Sequence, residues 1–469
     1  MSYNPNDQFR AIIVRGRSQE RLDDLLPAYA SIINEICPCS ASEFAERFNK
    51  KLAQLLPGTR DKTLDNHRTE NACKLLGLAY QDEKGDFHVS DRTLKLLGDG
   101  DQPALFKEIC LKMQFPNGMN KAGIIRGYIN EGIKIRQFAF ILKLLLLARE
   151  ASATLTAREI YYYALNSKQV LQGLVSPEDV LAKILDDRRA GIVHEVAGHN
   201  SSHATQHLRE QLKLLSFANL IRIDSDQIFL NEFEQRAINY IAETWERSLG
   251  FDVNAFDVTT SQGVKDLQIA WQLYYSSISE DPVIFATTPQ ALSYTPPVLG
   301  AVRPSPTTGM LTTDTTTSTT VIGDAGVMKV LEYERARVSA FNPRLLIKIK
   351  NVSNFRGVGY DVSSVLAEAG PTSDFAIYIE VKTSMRTTPP PATTNFPDSF
   401  KVTRNEWSAA RQFKEFFYIY RVFITSSGVY IYKIKNPSEK NMKGVIQVEP
   451  LEYSVDFDLG LASDQNLKI

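Results

Sequence analysis

Three residues in the C-terminal third of this 469-residue chain have the types and spacing to act on a phosphate ester. Asp361 is followed, after eighteen intervening residues, by Glu380-Val381-Lys382. The segment FAIYIEVKTS that holds the pair is dense in β-branched and aromatic residues and reads as a strand. Side chains i and i+2 of a strand share a face, so Glu380 and Lys382 project together. Asp361, at the preceding turn or strand, can meet them across the sheet. Two carboxylates so placed can hold Mg²⁺ against a scissile phosphate, while the ammonium orients an attacking water and stabilises developing charge. An acid, any residue and a lysine recur by chance in many chains, usually as a solvated strand face. The surrounding elements must therefore supply the specificity.

Those elements read as strands with a helix on each side. Asp324 is placed to cap a helix through about Phe341 that contains Glu332 and Glu334, and Arg344–Val352 alternates as a strand. Tyr360-Asp361-Val362 precedes a polar break, then comes the Glu380 strand and a Pro-rich loop at 387–397. Thr403 and Glu406 form a capping box for the next helix. FYIYRVFIT and GVYIYKI close the series as two more strands.

The order of short motifs here resembles the DUF3883, or NO VEIN-type C-terminal, branch of the PD-(D/E)xK nucleases. The resemblance rests on Asn351-Val352-Ser353, Gly359-Tyr360-Asp361-Val362-Ser363, Ile379-Glu380-Val381-Lys382-Thr383, and Asn405-Glu406-Trp407 followed by Ala410. It covers about residues 322–436. It implies Asp361 and Glu380 as metal ligands, Lys382 as the water-orienting group, and Mg²⁺ as cofactor. Glu334 would be an auxiliary acid, with Glu332 the second choice. Glu406 ranks last, because its capping box gives it a purely structural reason. The family often has a small residue after the Glu380 strand, whereas this chain continues Thr383-Ser384-Met385-Arg386, so the substrate-side loop is not predicted.

Composition narrows the class. With 43% hydrophobic and 23% charged residues, the chain is neither fibrous nor disordered, and its length allows about three domains. Its 53 Lys+Arg balance 54 Asp+Glu. Residues 331–440, however, hold sixteen Lys and Arg against ten Asp and Glu. A locally basic domain with acids gathered at one point suits phosphodiester cleavage. The four cysteines, Cys37, Cys39, Cys73 and Cys110, lie early without metal-ligand spacing and read as reduced thiols of a cytoplasmic protein. No signal region opens the chain, and the longest apolar run, Phe138 to Ala148, is too short to span a bilayer. No GxxxxGK[ST] occurs, so ATP-driven translocation is not expected.

The first 257 residues carry a pattern that occurs twice. In the first copy, helices at Leu25–Ile36, from Ser40 or Ser42 to Leu55, and at Thr63–Leu76 precede a hairpin turning at Lys84-Gly85. In the second, helices at Ile135–Glu150, Leu155–Leu165 (Thr156 as cap) and Ser201–Phe217 precede a hairpin turning at Asp224–Gln227. Three helices and a two-stranded wing is the order of a winged helix-turn-helix. The third helices end alike, in Lys74-Leu75-Leu76-Gly77-Leu78 and Lys213-Leu214-Leu215-Ser216-Phe217. The expected domains are 1–125 and 126–257 as winged-helix-like recognition modules, 258–322 as a helix and Thr/Pro-rich linker, and 323–469 as the nuclease domain. The fold class is multidomain, with a mainly α N-terminal half and an α/β restriction-endonuclease-like C-terminal domain.

On the first third helix, Lys62, Asn66, His67, Arg68 and Asn71 are the residue types that pair with base edges; on the second, Asn200, His203, Gln206, Arg209 and Gln211 are. All are also ordinary on a solvated helix face. His199, His203 and His207 are spaced by four and His194 precedes them, but no Cys or acidic partner sits at metal spacing. Two readers, a linker and a cutter together look like a Type II restriction endonuclease acting on double-stranded DNA. One cleavage centre per chain then calls for a dimer during double-strand cleavage, or sequential nicks. A modification-dependent or phage-defence nuclease is one rival. A DNA-binding regulator with an idle nuclease fold is another.

Overall fold

The computed structural model describes residues 3–13, 22–194, 202–279, 282–296, 318–355, 357–391 and 397–449. In the first copy, α1 (Leu22–Ile36) leads to α2 (Ala41–Leu55), which starts where Ser40 and Glu43 close a reciprocal capping box. Helix α3 (Asp61–Asn66) runs on as a π-wound segment, His67–Leu75. Strands β1 (Ala79–Gln81) and β2 (Phe87–Val89) then pair antiparallel, Ala79 opposite Val89. Helices α4 (Asp91–Asp99), α5 (Gln102–Lys112) and α6 (Ala122–Asn130) follow.

The second copy opens with α7 (Gln137–Glu150) and β3 (Leu155–Thr156). Thr156 and Glu159 box the start of α8 (Ala157–Glu159), which continues π-wound through Ile160–Leu165. After α9 (Lys168–Leu171), α10 (Pro177–Arg189) and α11 (Ser202–Phe217) come β4 (Ile221–Asp224) and β5 (Gln227–Leu230). β3 joins that hairpin as a third strand, in the order β3-β5-β4.

The two segments share a local backbone signature, in a register that differs from the one the leucine pairs suggest. Gly77 takes a left-handed φ of +63° after the first third helix, and Asn219 takes +62° after the second. Leu78 O then accepts the Ser90 N–H, and Leu220 O accepts the Asn231 N–H. Ser90 and Asn231 each cap the helical turn that follows. Gly77 therefore corresponds to Asn219, three residues beyond Ser216. Backbone handedness marks the equivalence, since only Gly and Asn-type residues enter that region readily.

Helices α12 (Gln235–Ala242) and α13 (Ser261–Ser276) complete the half, and one contiguous apolar core runs from Ala11 to Phe285 through both copies. Trp271 and Tyr275 of α13 are buried in it, and the Tyr275 hydroxyl donates to Leu75 O at 2.8 Å. The expected linker starts later than its composition suggests. Thr288 caps α14 (Pro289–Leu292), and Leu292 is buried in the C-terminal core. The Pro/Thr-rich remainder, 297–317, lies outside the described residues.

The C-terminal half is a five-stranded sheet with a helix on each face. After α15 (Ser318–Phe341) come β6 (Lys350–Asn351), β7 (Val362–Val365) and β8 (Ala376–Met385). Next are α16 (Arg404–Phe413), β9 (Phe417–Thr425), β10 (Gly428–Lys435) and α17 (Pro437–Met442). The order is β10-β9-β8-β7-β6; β8 and β9 run parallel, joined by α16 as a crossover, and the other pairs are antiparallel. Ile322, Val327, Val330 and Leu331 of α15 pack on one face, and Ala409 and Ala410 of α16 on the other.

Two expectations fail here. Asp324 does not cap α15, because the helix begins at Ser318 and Asp324 sits within it. Arg344–Val352 is not a long strand: Pro343–Lys348 winds as a 3₁₀ helix, and β6 keeps two residues. The four-residue β7 offers β6 only Val362 and Ser363 as partners, and Ile347 is left 83% exposed.

The two halves meet at the C-terminal end of β8. The Met385 N–H donates to Gly100 O at 3.1 Å, and Arg386, fully buried, is held by Asp23 and Asp24 of α1.

Candidate active site

Asp361 enters β7 from a turn that Gly359 makes possible. Gly359 has φ +79°, and a Cβ there would lie 2.7 Å from Asn405 O. The Asp361 backbone N–H donates to Ile379 O at 2.9 Å, and its Oδ2 accepts the Val381 N–H at 2.8 Å. The carboxylate is thus pinned to the strand that carries Glu380. Side chains alternate between the faces of β8: Ile377, Ile379 and Val381 join the core under α15, so Glu380, Lys382 and Ser384 face the other side, toward α16. Lys382 Nζ lies 2.8 Å from Glu380 Oε1 and 2.7 Å from Glu406 Oε2. The structure brings Asp361, Glu380 and Lys382 together as the spacing predicts, and adds Glu406 of α16.

The electrostatics are those of crowded acids. Burial, with Asp361 and Glu406 as like-charged neighbours, pushes Glu380 up to about 8 against the pull of Lys382. Asp361 is likewise raised, by burial first and then by Glu406 and Asp324, although the Val381 N–H and Lys382 lower it. Burial works against the charge on Lys382, but Glu380 and Glu406 outweigh it and hold it above the ordinary lysine value.

Two buried carboxylates that resist ionisation side by side are short of positive charge. Their all-oxygen character fits a hard divalent cation, and Mg²⁺ in particular takes one or two protein carboxylates and keeps several waters. Among the described residues no group of three or more His, Cys, Asp and Glu draws together as a metal set, so the protein share would be these two.

Glu334 does not join them. It lies on the opposite face of the sheet, fully buried, and accepts from Ser364 Oγ (2.6 Å), Tyr420 OH (2.9 Å) and Arg337 Nη2 (2.6 Å). With its oxygens committed to these donors, it locks α15 to the sheet. Glu332 is exposed and paired with Lys329. Asp324, two turns into the same helix, is the α15 acid whose charge reaches Asp361. Arg421, opposite Lys382 in the parallel register, is buried and donates to Lys382 O (3.0 Å), Ser384 Oγ (2.8 Å) and Asp398 Oδ2 (2.5 Å). Sequence reading passed over it as one residue of an apolar strand, although an arginine within FYIYRVFIT is itself a signal of a buried partner.

The base-reading residues divide. Lys62 is exposed, Asn66 is half-buried, and Arg68 turns back to Asn49 Oδ1 (2.8 Å) and Asp65 (2.9 Å). His67 and Asn71 are corrections: both are buried, His67 bonded to the Tyr29 hydroxyl. They fall on the stripe Leu64, His67, Asn71, Leu75, whose helical spacing points it at the core. In the second copy Arg209 is exposed while Gln211 is fully buried. Asn200, His203 and Gln206, with His199 and His207, lie outside what is described of side chains. His194 stacks on Tyr162, ring centroids 4.5 Å apart, and contacts Asp187 Oδ2 at 3.2 Å. All four cysteines are free thiols, and no described helix is long and apolar enough to cross a membrane.

No curated protein matches the chain. Residues 326–434, which hold the whole Asp361 cluster, match the C-terminal region of the protein NO VEIN. A solved structure of the BpuJ1 endonuclease binding domain, in complex with pyrene- and phenanthrene-modified DNA, is 46% identical, with a TM-score of 0.57. The match covers 59% of this chain and all of that one. Residues 3–272 match the family described as restriction endonuclease BpuJI, N terminal. That match takes in more than half of the chain, which therefore belongs to this restriction-endonuclease family.

Proposed function

We propose that this protein is a Mg²⁺-dependent, sequence-specific endonuclease of Type II restriction character that hydrolyses phosphodiester bonds in double-stranded DNA. The observation that carries the reading is the meeting of Asp361, Glu380 and Lys382 on adjoining strands, in a chain whose other half belongs to a restriction-endonuclease family. The N-terminal half reads DNA through two winged-helix-like modules, and the C-terminal half cuts as a PD-(D/E)xK domain. Asp361 and Glu380 would hold the cation, which when bound supplies charge neutralisation at the phosphate and a more acidic water.

The chain's own side chains do the rest. Lys382 faces the same side as Glu380 and orients a water while countering charge on the phosphate oxygens. Arg421 fixes the β8 backbone at Lys382 O and so holds the lysine's origin. Asp324 adds to the negative charge felt at Asp361. Readers specify the sequence and the cutter acts on the backbone they position. Cutting both strands then takes two copies at the target, or two sequential nicks.

The test is incubation of the full chain with Mg²⁺ and unmodified or methylated phage DNA. Discrete fragments from unmodified DNA are expected. Cutting confined to modified DNA would replace the reading with a modification-dependent nuclease, and binding without cutting would replace it with a regulator.

A further inference from the structure

The Lys382 ammonium sits between two carboxylates that come from different elements. Glu380 is on β8 itself, whereas Glu406 is the third residue of α16 and its Oε2 also accepts the Thr403 N–H at 2.9 Å. That capping box fixes the carboxylate to the helix. The helix in turn is fixed to the sheet, where Ala409 and Ala410 pack on Phe417 and Ile419. Gly359 presses the Asp361 turn against Asn405 and Ala409 of the same helix. The first turn of a helix disfavours a cation, because the positive end of its dipole lies there. Glu406 offsets that at the point where Lys382 arrives.

Resting on the metal-dependent reading above, we propose that Glu406 is a positioning residue, which retains the Lys382 ammonium when Glu380 turns to a divalent cation. Glu380 has two partners to serve, the lysine at 2.8 Å and the metal. An ammonium with no second partner competes with the cation for Glu380 and is repelled by it. With Glu406 Oε2 at 2.7 Å, Lys382 keeps one of the two ion pairs it already has and needs no new contact. Glu406 is not assigned to the metal, since its bonded oxygen is shared between Lys382 and the helix cap.

Glu406→Gln separates this role from the cap, because glutamine serves a capping box as glutamate does. Mn²⁺ affinity is measured calorimetrically on the full chain without DNA, in the wild type, Glu406→Gln, Lys382→Met and the double variant. Thermal unfolding of each confirms that the fold survives. Glu406→Gln is expected to weaken Mn²⁺ binding about tenfold when Lys382 is present, and about threefold or less in the Lys382→Met background. Glu406→Asp, still charged but one methylene short, is expected to fall between Gln and the wild type. In cleavage, Glu406→Gln lowers kcat and leaves KM for DNA unchanged. Equal weakening in both backgrounds, or none in either, overturns the positioning role. Wild-type Mn²⁺ affinity in Glu380→Ala is a separate result, and overturns the metal reading itself.

Discussion

Replacing Glu380 by glutamine should stabilise the metal-free protein, by an amount that grows with pH. In the folded chain Glu380 is pushed from 4.5 to about 8, chiefly by burial, with Asp361 and Glu406 adding repulsion and Lys382 opposing. A carboxyl raised in the folded state holds its proton there at pH values where the unfolded chain has released it. Stability is therefore lost as pH rises from 4.5 to about 8, and is level beyond. At about 1.4 kcal/mol per pKa unit, the loss at pH 8.5 is on the order of 3–5 kcal/mol. A glutamine at this position has no proton to lose, so the advantage of Glu380→Gln over the wild type should be near zero at pH 4.5 and reach that range at pH 8.5. For a domain this size each kcal/mol moves Tm by roughly 2–4 °C. The assay is thermal unfolding in EDTA from pH 5 to 9. Adding Mg²⁺ should narrow the difference at high pH, because only the wild type presents both carboxylates; saturation at 100 times Kd is worth about 2.7 kcal/mol. A pH-independent difference, or equal stabilisation of both proteins by Mg²⁺, would refute the reasoning.

Three other perturbations test the scaffold. Glu334→Gln strips the buried acceptor shared by Arg337, Ser364 and Tyr420, and should cost about 3 kcal/mol in unfolding by denaturant while leaving Mn²⁺ affinity intact. Arg386→Met removes the buried cation that Asp23 and Asp24 share and should weaken the junction of the two halves by about 3–5 kcal/mol, read as two calorimetric transitions in place of one. Gly326→Ala drives a methyl into Thr383, and the overpacking of α15 on β8 should cost about 1–3 kcal/mol despite alanine's better helix propensity, measured as a lower Tm.

What the sequence made legible is what local chemistry decides. The capping boxes at Ser40, Thr156 and Thr403, the two hairpins and the β8 strand depend on neighbours within a few residues, and each is found where its residues point. The Asp361–Glu380–Lys382 meeting was legible because strand alternation fixes which side chains share a face. The misses depend on distant partners. Alternation in Arg344–Val352 marks two faces but not the length of the strand beside it. Glu334 and Asp324 lie on one helix, and only its crossing of the sheet decides which of them approaches Asp361. His67 and Asn71 are polar residues on an apolar stripe, and the flanking Leu64 and Leu75 outweigh their type. Glu406 carries its capping role on the surface of the sequence, while its contact with Lys382 spans 24 positions.

The most direct measurement takes Glu380→Ala and Lys382→Ala side by side with the wild type, scoring cleavage of duplex DNA in Mg²⁺ and retention of the same duplex in a gel-shift assay without metal. Both variants are expected to bind as the wild type does, and neither to cut. Cleavage retained in both would contradict the assignment of Asp361, Glu380 and Lys382 as the cutting centre.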